Sequence, residues 1–335
     1  MRKVILLLSL MSLSACSSIS KQHNREIFTL KSLYDYQLVN SATHKRININ
    51  NLVSGVRNKN VIFLGEFHTH QASHKFQLDF LQTLYKQNPN IVLSMEQFSR
   101  DSQSIVTGYL EGAYGEETLI EEGDGWADYK GSYRAIVEFA REKNIPIIAA
   151  NAPSMFVRCV GKEGVSFLHR ISKEQSQWAS KKLDLENEKY KAKFMSFIKA
   201  SGRSHGQTND VATKRQMNTY AAQLLRDTTM AESIADGLQN FPNQQIVHLN
   251  GSFHSDSRLG TVAVLETTVP NVKISVISPL MVKATDIRSI SDDELNQGEF
   301  LYLVKPLPER YLDKDKEMEA ITKLIRKRMK NECEL

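Results

Sequence analysis

The chain has 335 residues, 41% of them hydrophobic and 24% charged, with a formal net charge of +5. That length and balance suit one large α/β domain or two small ones and exclude fibrous and disordered classes. Two of the positive charges, Arg2 and Lys3, belong to a leader without acids, so the rest carries only +3. Without a basic stripe interleaved with aromatics, nucleic acid is excluded as a partner.

Residues 1–15 read as a signal peptide: a basic start, then an apolar run from Val4 to Leu13 too short to span a bilayer. The run ends in Leu13-Ser14-Ala15-Cys16, which resembles the bacterial lipobox. There the Cys16 thiol is expected to carry diacylglycerol, and several acyl chains anchor stably where one does not. Ser17 after Cys16 resembles the outer-membrane sorting signal of Gram-negative lipoproteins. Residues 16–30 are expected to form an acylated tether, 31–312 the α/β domain and 313–335 a basic amphipathic helix.

Residues 27–60 are poorly patterned and suggest a short hairpin or loops. The stretch 61–66, Val-Ile-Phe-Leu-Gly-Glu, reads as a strand buried on both faces. It delivers Glu66 and then His68, groups costly to bury without partners. Residues 71–87 predict a helix with His74 on it, and 91–95 a strand ending at Glu96. The segment 108–131, rich in glycine, acids and aromatics, suggests a lid. A helix over 133–143 and a strand over 145–149 follow, the strand ending at Asn151. Residues 154–240 read as a helical insertion with a charged stretch at 181–193, a Gly/Ser/His loop at 201–206 and a last helix over 211–238. Strands are expected at 245–249, ending toward His254, at 272–277 and at 300–304. The tail 314–330 places Met318, Ile321, Ile325 and Met329 on one helical face among basic residues. Such a helix lies on a membrane surface or packs on its own domain. Cys159 and Cys333 allow one disulfide in an oxidising compartment, or two free thiols.

This order predicts an α/β fold, a mostly parallel sheet covered by helices on both faces with a helical insertion and lid. Glu66, His68, Glu96, Asn151 and His254 then fall at carboxyl ends of strands, where open α/β sheets bind ligands. Gly-x-x-His occurs at both ends of that rim, as Gly65 to His68 and Gly251 to His254, each glycine permitting a tight turn off its strand. Two histidines and two carboxylates in one cleft hold a divalent metal, with His68 and His254 as ligands, or activate a water. HExxH, GxSxG, P-loop and post-strand GxGxxG signals are absent, and without CxxCH a haem cannot be attached covalently in the c-type manner.

Gly65-Glu66-x-His68 with His74, Met95-Glu96, Trp126-x-x-Tyr129 with Tyr133-Arg134, Asn151-Ala152-Pro153, Arg226-Asp227-x-x-Met230-Ala231 and Gly251-x-x-His254 together resemble the ChaN family of haem-binding, iron-regulated lipoproteins. The resemblance covers about residues 60–280 and departs from the pattern at Thr69-His70 and across 172–210. It implies a non-covalent haem, a homodimer formed on haem binding, an outer-membrane location, a role in iron acquisition and a haem receptor as further partner. It also implies a tyrosine as iron ligand. Tyr133 is the first candidate, since Arg134 and Lys130 are near enough in sequence to pair with propionates. Tyr129 and Tyr220 are rivals, and His169 and His205 are candidate distal groups. The wider superfamily, with Tiki proteases and erythromycin esterases, implies the alternative: a metal-dependent or Glu/His-assisted hydrolase built on Glu66, His68, Glu96 and His254.

Overall fold

The computed structural model describes residues 29–200, 210–283, 289–329 and 332–334. The leader, Cys16, most of the tether and the loop bearing His205 lie outside the described residues. The chain opens on a hairpin, β1 (Tyr36–Asn40) and β2 (Lys45–Ile47), then α1 (Ile49–Gly55), β3 (Val61–Glu66), α2 (Gln71–Gln87) and β4 (Ile91–Ser99). Helices α3 (Gln103–Leu110), α4 (Glu116–Glu121), α5 (Tyr129–Ser132) and α6 (Arg134–Glu142) lead to β5 (Ile147–Asn151). Helices α7 (Ser154–Glu163), α8 (Glu188–Ala200) and α9 (Asp210–Asn240) precede β6 (Gln245–Gly251). The chain closes with α10 (Thr261–Thr268), β7 (Ile274–Met281), α11 (Asp292–Leu295), β8 (Phe300–Val304) and α12 (Lys314–Met329).

The eight strands form one sheet in the order β2-β1-β8-β7-β3-β6-β4-β5. Six are parallel, and the hairpin adds an antiparallel edge through β1 against β8. The α/β class and the covered parallel sheet are therefore as expected. Three differences have local causes. The hairpin joins the main sheet, pairing Tyr36 with Val304. Strand β7 runs on through Pro279 to Met281, because a proline lacks only its own N–H and β8 continues to pair there. Strand β4 continues past Glu96 to Ser99 through an irregularity after Met95, and strand alternation puts the successive residues Glu96 and Gln97 on opposite faces.

Strand β3 explains the apolar run. Ile62 and Leu64 enter the core under α2 and α6. Val61 and Phe63 enter a second core with Ala231 and Ile234 of α9 and Val262 of α10. A strand with helices on both faces has no polar side to show, so alternation vanishes. Leu64→Ala would cost about 2–5 kcal/mol here, because the rigid sheet cannot collapse onto the void.

The Cys159–Cys333 pair is a disulfide, with Cα atoms 5.6 Å apart, joining the C-terminal segment to α7 across 174 residues. From Lys314 to Lys323 the residues of α12 are exposed or half-buried. Among the described residues no helix is long and apolar enough to cross a membrane.

Candidate functional site

The site lies at the carboxyl rim of β3, β4, β5 and β6. In register, Glu66 of β3 faces Gly251 of β6. Each strand end then turns away, the first toward His68 and the second into a short 3₁₀ turn, Ser252–His254. Glu66, Glu96, His254 and Asn151 are all buried there, while the His68 side chain is 43% exposed. The four groups on which the reading rested do meet at one rim, on opposite faces of one sheet.

On the α2 and α6 face, Glu66 is the hub. Its Oε1 accepts from His68 Nδ1 at 2.7 Å and from the Tyr133 hydroxyl at 2.5 Å. Its Oε2 accepts from Gln77 Nε2 at 2.7 Å, and Gln97 Nε2 approaches Oε1 at 3.4 Å. A carboxylate only accepts, so the proton of His68 sits on Nδ1. Burial works against the Glu66 charge, but the bond from His68 and the nearby His74 and Tyr133 hold it ionised, its pKa below the usual range. Burial likewise opposes a charged His68, yet the Glu66 bond and the Glu96 field raise its pKa. His74 gives Nδ1 to Gln77 Oε1 at 3.2 Å, and its Nε2 is buried without a partner.

On the α9 face, His254 is the hub. Nδ1 reaches Asp227 Oδ1 at 2.7 Å and Nε2 reaches Glu96 Oε1 at 3.4 Å. Both nitrogens face carboxylates, which favour the doubly protonated ring, and the Gln223 amide nitrogen lies 3.2 Å from Nδ1 as well. Burial disfavours that charge, but Glu96 and Asp227 override it and push His254 up to about 10. Glu96 is held low in return: burial opposes its charge, and the His254 imidazolium more than offsets this. Glu96 Oε2 also accepts from the Gly251 N–H at 2.7 Å. Asp227 accepts from Tyr190 at 2.6 Å and Thr261 at 2.8 Å as well. Gly260, at φ +58°, is required there, since a Cβ would stand 2.8 Å from Asp227 Oδ1.

The two Gly-x-x-His motifs interlock. Neither Gly65 nor Gly251 has positive φ, so neither is there for a left-handed turn, and that expectation is corrected. Each makes room for the other motif. A Cβ on Gly251 would lie 2.7 Å from His68 Nε2, and one on Gly65 would lie 3.2 Å from the Ser252 backbone.

The segment expected as a lid does cover the rim. Trp126 stands edge-on to His68, with ring centres 4.8 Å apart, and to Tyr133 at 5.8 Å. Beneath it a cavity of about 360 Å³ is lined by Glu96, Gln97, Trp126, Asn151, Ser154 and Arg226, among others. Asn151 is fixed by donating to the Glu96 carbonyl at 2.9 Å. A larger groove of about 460 Å³, between Tyr36 and Ile49, holds none of the candidate residues.

Several assignments need correction. Tyr133 is fully buried with its hydroxyl on Glu66, and burial beside that carboxylate drives its pKa up, so the phenol is not presented as an iron ligand. Tyr129 and Tyr220 are buried too, and Tyr220 donates to the Asn187 carbonyl. Arg134 forms a two-pronged ion pair with Glu116, and Lys130 pairs with Glu117, so both hold α4 rather than facing the cleft. His169 is exposed, at the end of the 3₁₀ turn Val165–His169. A divalent metal does not fit the arrangement. The His254 nitrogens are engaged by Glu96 and Asp227, and among the described residues no group of three His, Cys, Asp or Glu side chains is disposed to hold an ion. Sequence reading missed Gln77, Gln97, Tyr190 and Thr261. Only Gln77 left a signal, lying one turn after His74 on the inward face of α2.

Fold and site together define an α/β protein whose parallel sheet carries a carboxylate–imidazole cleft at its carboxyl rim. The model of the family described as haem-binding uptake, Tiki superfamily, ChaN matches residues 52–265, and the chain belongs to that family. Among solved structures, cofacial heme binding to ChaN of Campylobacter jejuni is 16% identical, with a TM-score of 0.61 over 83% of this chain and 100% of the other. At that identity the likeness concerns the fold. An erythromycin esterase in its open conformation is 10% identical over 85% of this chain and 87% of its own, with a TM-score of 0.42. A succinoglycan biosynthesis protein is 10% identical over 76% of this chain and 90% of its own, with a TM-score of 0.44. No curated protein matches the chain.

Proposed function

We propose that this chain is an outer-membrane lipoprotein, anchored through acylated Cys16, that binds haem non-covalently for iron acquisition. Membership of the haem-binding family across residues 52–265 carries this reading. The rim residues fit the group. His68, half-exposed, is charged more readily than a free imidazole and suits a propionate carboxylate. Trp126 beside it offers an aromatic surface for the porphyrin. When bound, haem supplies the iron that uptake requires. This chain's part is to hold the ring and to seat its carboxylates. The Campylobacter relative binds haem cofacially. By the same arrangement, two haem-loaded copies of this chain meet face to face, and a receptor takes the haem on.

Titration of the protein with hemin tests this. A shifted Soret band at micromolar protein is expected, together with a doubling of mass by sizing. His68→Ala and Trp126→Ala should each weaken binding about tenfold. An unshifted Soret band would remove the reading.

A second reading, a Glu/His-assisted hydrolase, is favoured by the Glu66–His68 pair, which leaves one half-exposed imidazole oriented by a buried carboxylate. Peptide and ester substrates measure it. Turnover that persists after His68→Ala and His254→Ala would eliminate it.

A further inference from the structure

Nine large hydrophobic side chains are exposed among the described residues, and six of them flank Val304 in the sheet or follow it along the chain: Tyr34, Met281, Tyr311, Leu312, Met318 and Ile321. Tyr34 precedes β1, whose first residue, Tyr36, pairs with Val304. Met281 pairs with Val304 from the other side. The remaining four follow Val304 along the chain. The Lys305 ammonium donates to the Lys31 carbonyl at 3.4 Å, so the N-terminal segment and the approach to α12 are side by side. Scattered exposed apolar residues need no explanation, but a concentration of this kind marks an interaction surface.

The charge of α12 says what that surface meets. Residues 320–331 contain five basic residues and no acid. Met318 and Ile321 lie one turn apart on the helix, and both are exposed. The first ten residues of the helix are charge-balanced, with Lys314, Lys316 and Lys323 against Asp315, Glu317 and Glu319, and the basic excess follows them in the sequence. Exposed apolar residues leading into a basic run, with tyrosines nearby in the chain, suit a helix that lies in a lipid headgroup layer. The disulfide from Cys333 to Cys159 of α7 ties the far end of this segment to the domain body. The first ten residues of α12 are exposed or half-buried, and Met318 and Ile321 face solvent.

We propose that this end of the domain is a membrane-contact surface whose partner is an anionic phospholipid leaflet, with α12 lying on it. The inference rests on the lipid-anchored reading only in that the anchor places a membrane within reach. The chain leaves toward Cys16 from the same end at which α12 begins. The two contacts together would fix the orientation of the domain, where a lone flexible tether would leave it tumbling.

The test uses the unacylated chain from Ser17 onward, which contains every described residue. It is sedimented with vesicles of phosphatidylcholine alone and of phosphatidylcholine with an equal amount of phosphatidylglycerol. Binding is expected only with phosphatidylglycerol, and it should weaken as salt rises. The combined Leu312→Asp, Met318→Asp and Ile321→Asp variant should lower it by at least about tenfold, since each apolar group is lost to the membrane. Lys314→Gln, Lys316→Gln and Lys323→Gln should lower it by about fivefold per charge. All these positions are exposed, and unchanged hemin titration reports an intact fold. Absence of binding to phosphatidylglycerol vesicles, or binding that survives the triple aspartate variant, overturns the proposal. So does a lipid-free dimer that the same variant dissolves, which would make a second copy the occupant. Palmitate labelling of cells carrying Cys16 or Cys16→Ser reads the anchor independently, so failure of one contact is distinguishable from failure of the other.

Discussion

The two faces of the sheet solve the same problem, a buried carboxylate at a strand end, in different ways. On the α9 face, His254 sits between Glu96 and Asp227, and the ion cluster closes on itself with Tyr190 and Thr261 filling the remaining acceptor positions. On the α2 face, Glu66 takes neutral donors from Tyr133 and Gln77 and a single imidazole that reaches solvent. The sealed cluster has its hydrogen-bonding groups engaged with one another, though Glu96 also borders the cavity under Trp126. The open one presents His68. The difference assigns them separate work: one holds the rim together and the other meets what binds there.

That division breaks first on the sealed side. Asp227→Asn leaves His254 with one carboxylate instead of two. Disrupting a buried pair of this kind costs about 3–5 kcal/mol, measured by chemical denaturation. The pH dependence carries a sign. His254 binds its proton more tightly folded than unfolded, so its contribution is complete below the ordinary 6.5 and disappears as pH rises through about 10. The wild type should therefore lose stability across that alkaline window. In Asp227→Asn the loss should begin at the same pH but be smaller and complete at lower pH, because the folded-state value falls with one carboxylate gone. An alkaline limb identical in both proteins would show that the pair does not set it.

On the open side the expected effect is smaller. Tyr133→Phe removes one of the donors to Glu66 and leaves that oxygen short of a partner, at a cost of about 1–3 kcal/mol. Because the phenol is turned inward, the hemin-loaded variant should keep the wild-type Soret position. A displaced band would return Tyr133 to the iron and undo the contrast between the faces.

How much of this was legible follows from the same physics. The parallel sheet and the convergence of Glu66, His68, Glu96 and His254 are visible because strand ends fall at fixed places once hydrophobic runs are read. The face each residue serves is not. Glu96 and Gln97 are neighbours in sequence, and strand alternation sends them to opposite hubs, but only if the strand runs on past Glu96, where the expected one stopped. The partners of Asp227 come from α8 and α10, and no spacing relates Tyr190 to Thr261. The basic residues Arg134 and Lys130 looked free for propionates because their acids, Glu116 and Glu117, lie across a loop whose path only the fold decides.

The interlocked glycines supply the finest test. An added methyl at Gly65 meets the Ser252 backbone at 3.2 Å and the Pro279 ring at 3.3 Å, neither of which gives way easily. Gly65→Ala should thus cost about 1–3 kcal/mol of stability through overpacking. An added methyl at Gly251 meets the tip of His68 instead, 2.7 Å from Nε2 and 2.8 Å from Cε1, and stays 3.6 Å from Glu96 Oε2. The φ of Gly251 is −55°, which alanine adopts without strain. The imidazole can swing outward because it is half-exposed. Gly251→Ala should therefore leave the unfolding midpoint nearly unchanged while weakening hemin binding about tenfold, as His68→Ala does. If instead Gly251→Ala unfolds the protein and spares the affinity, the exposed imidazole is a structural cap and the open face has no separate role.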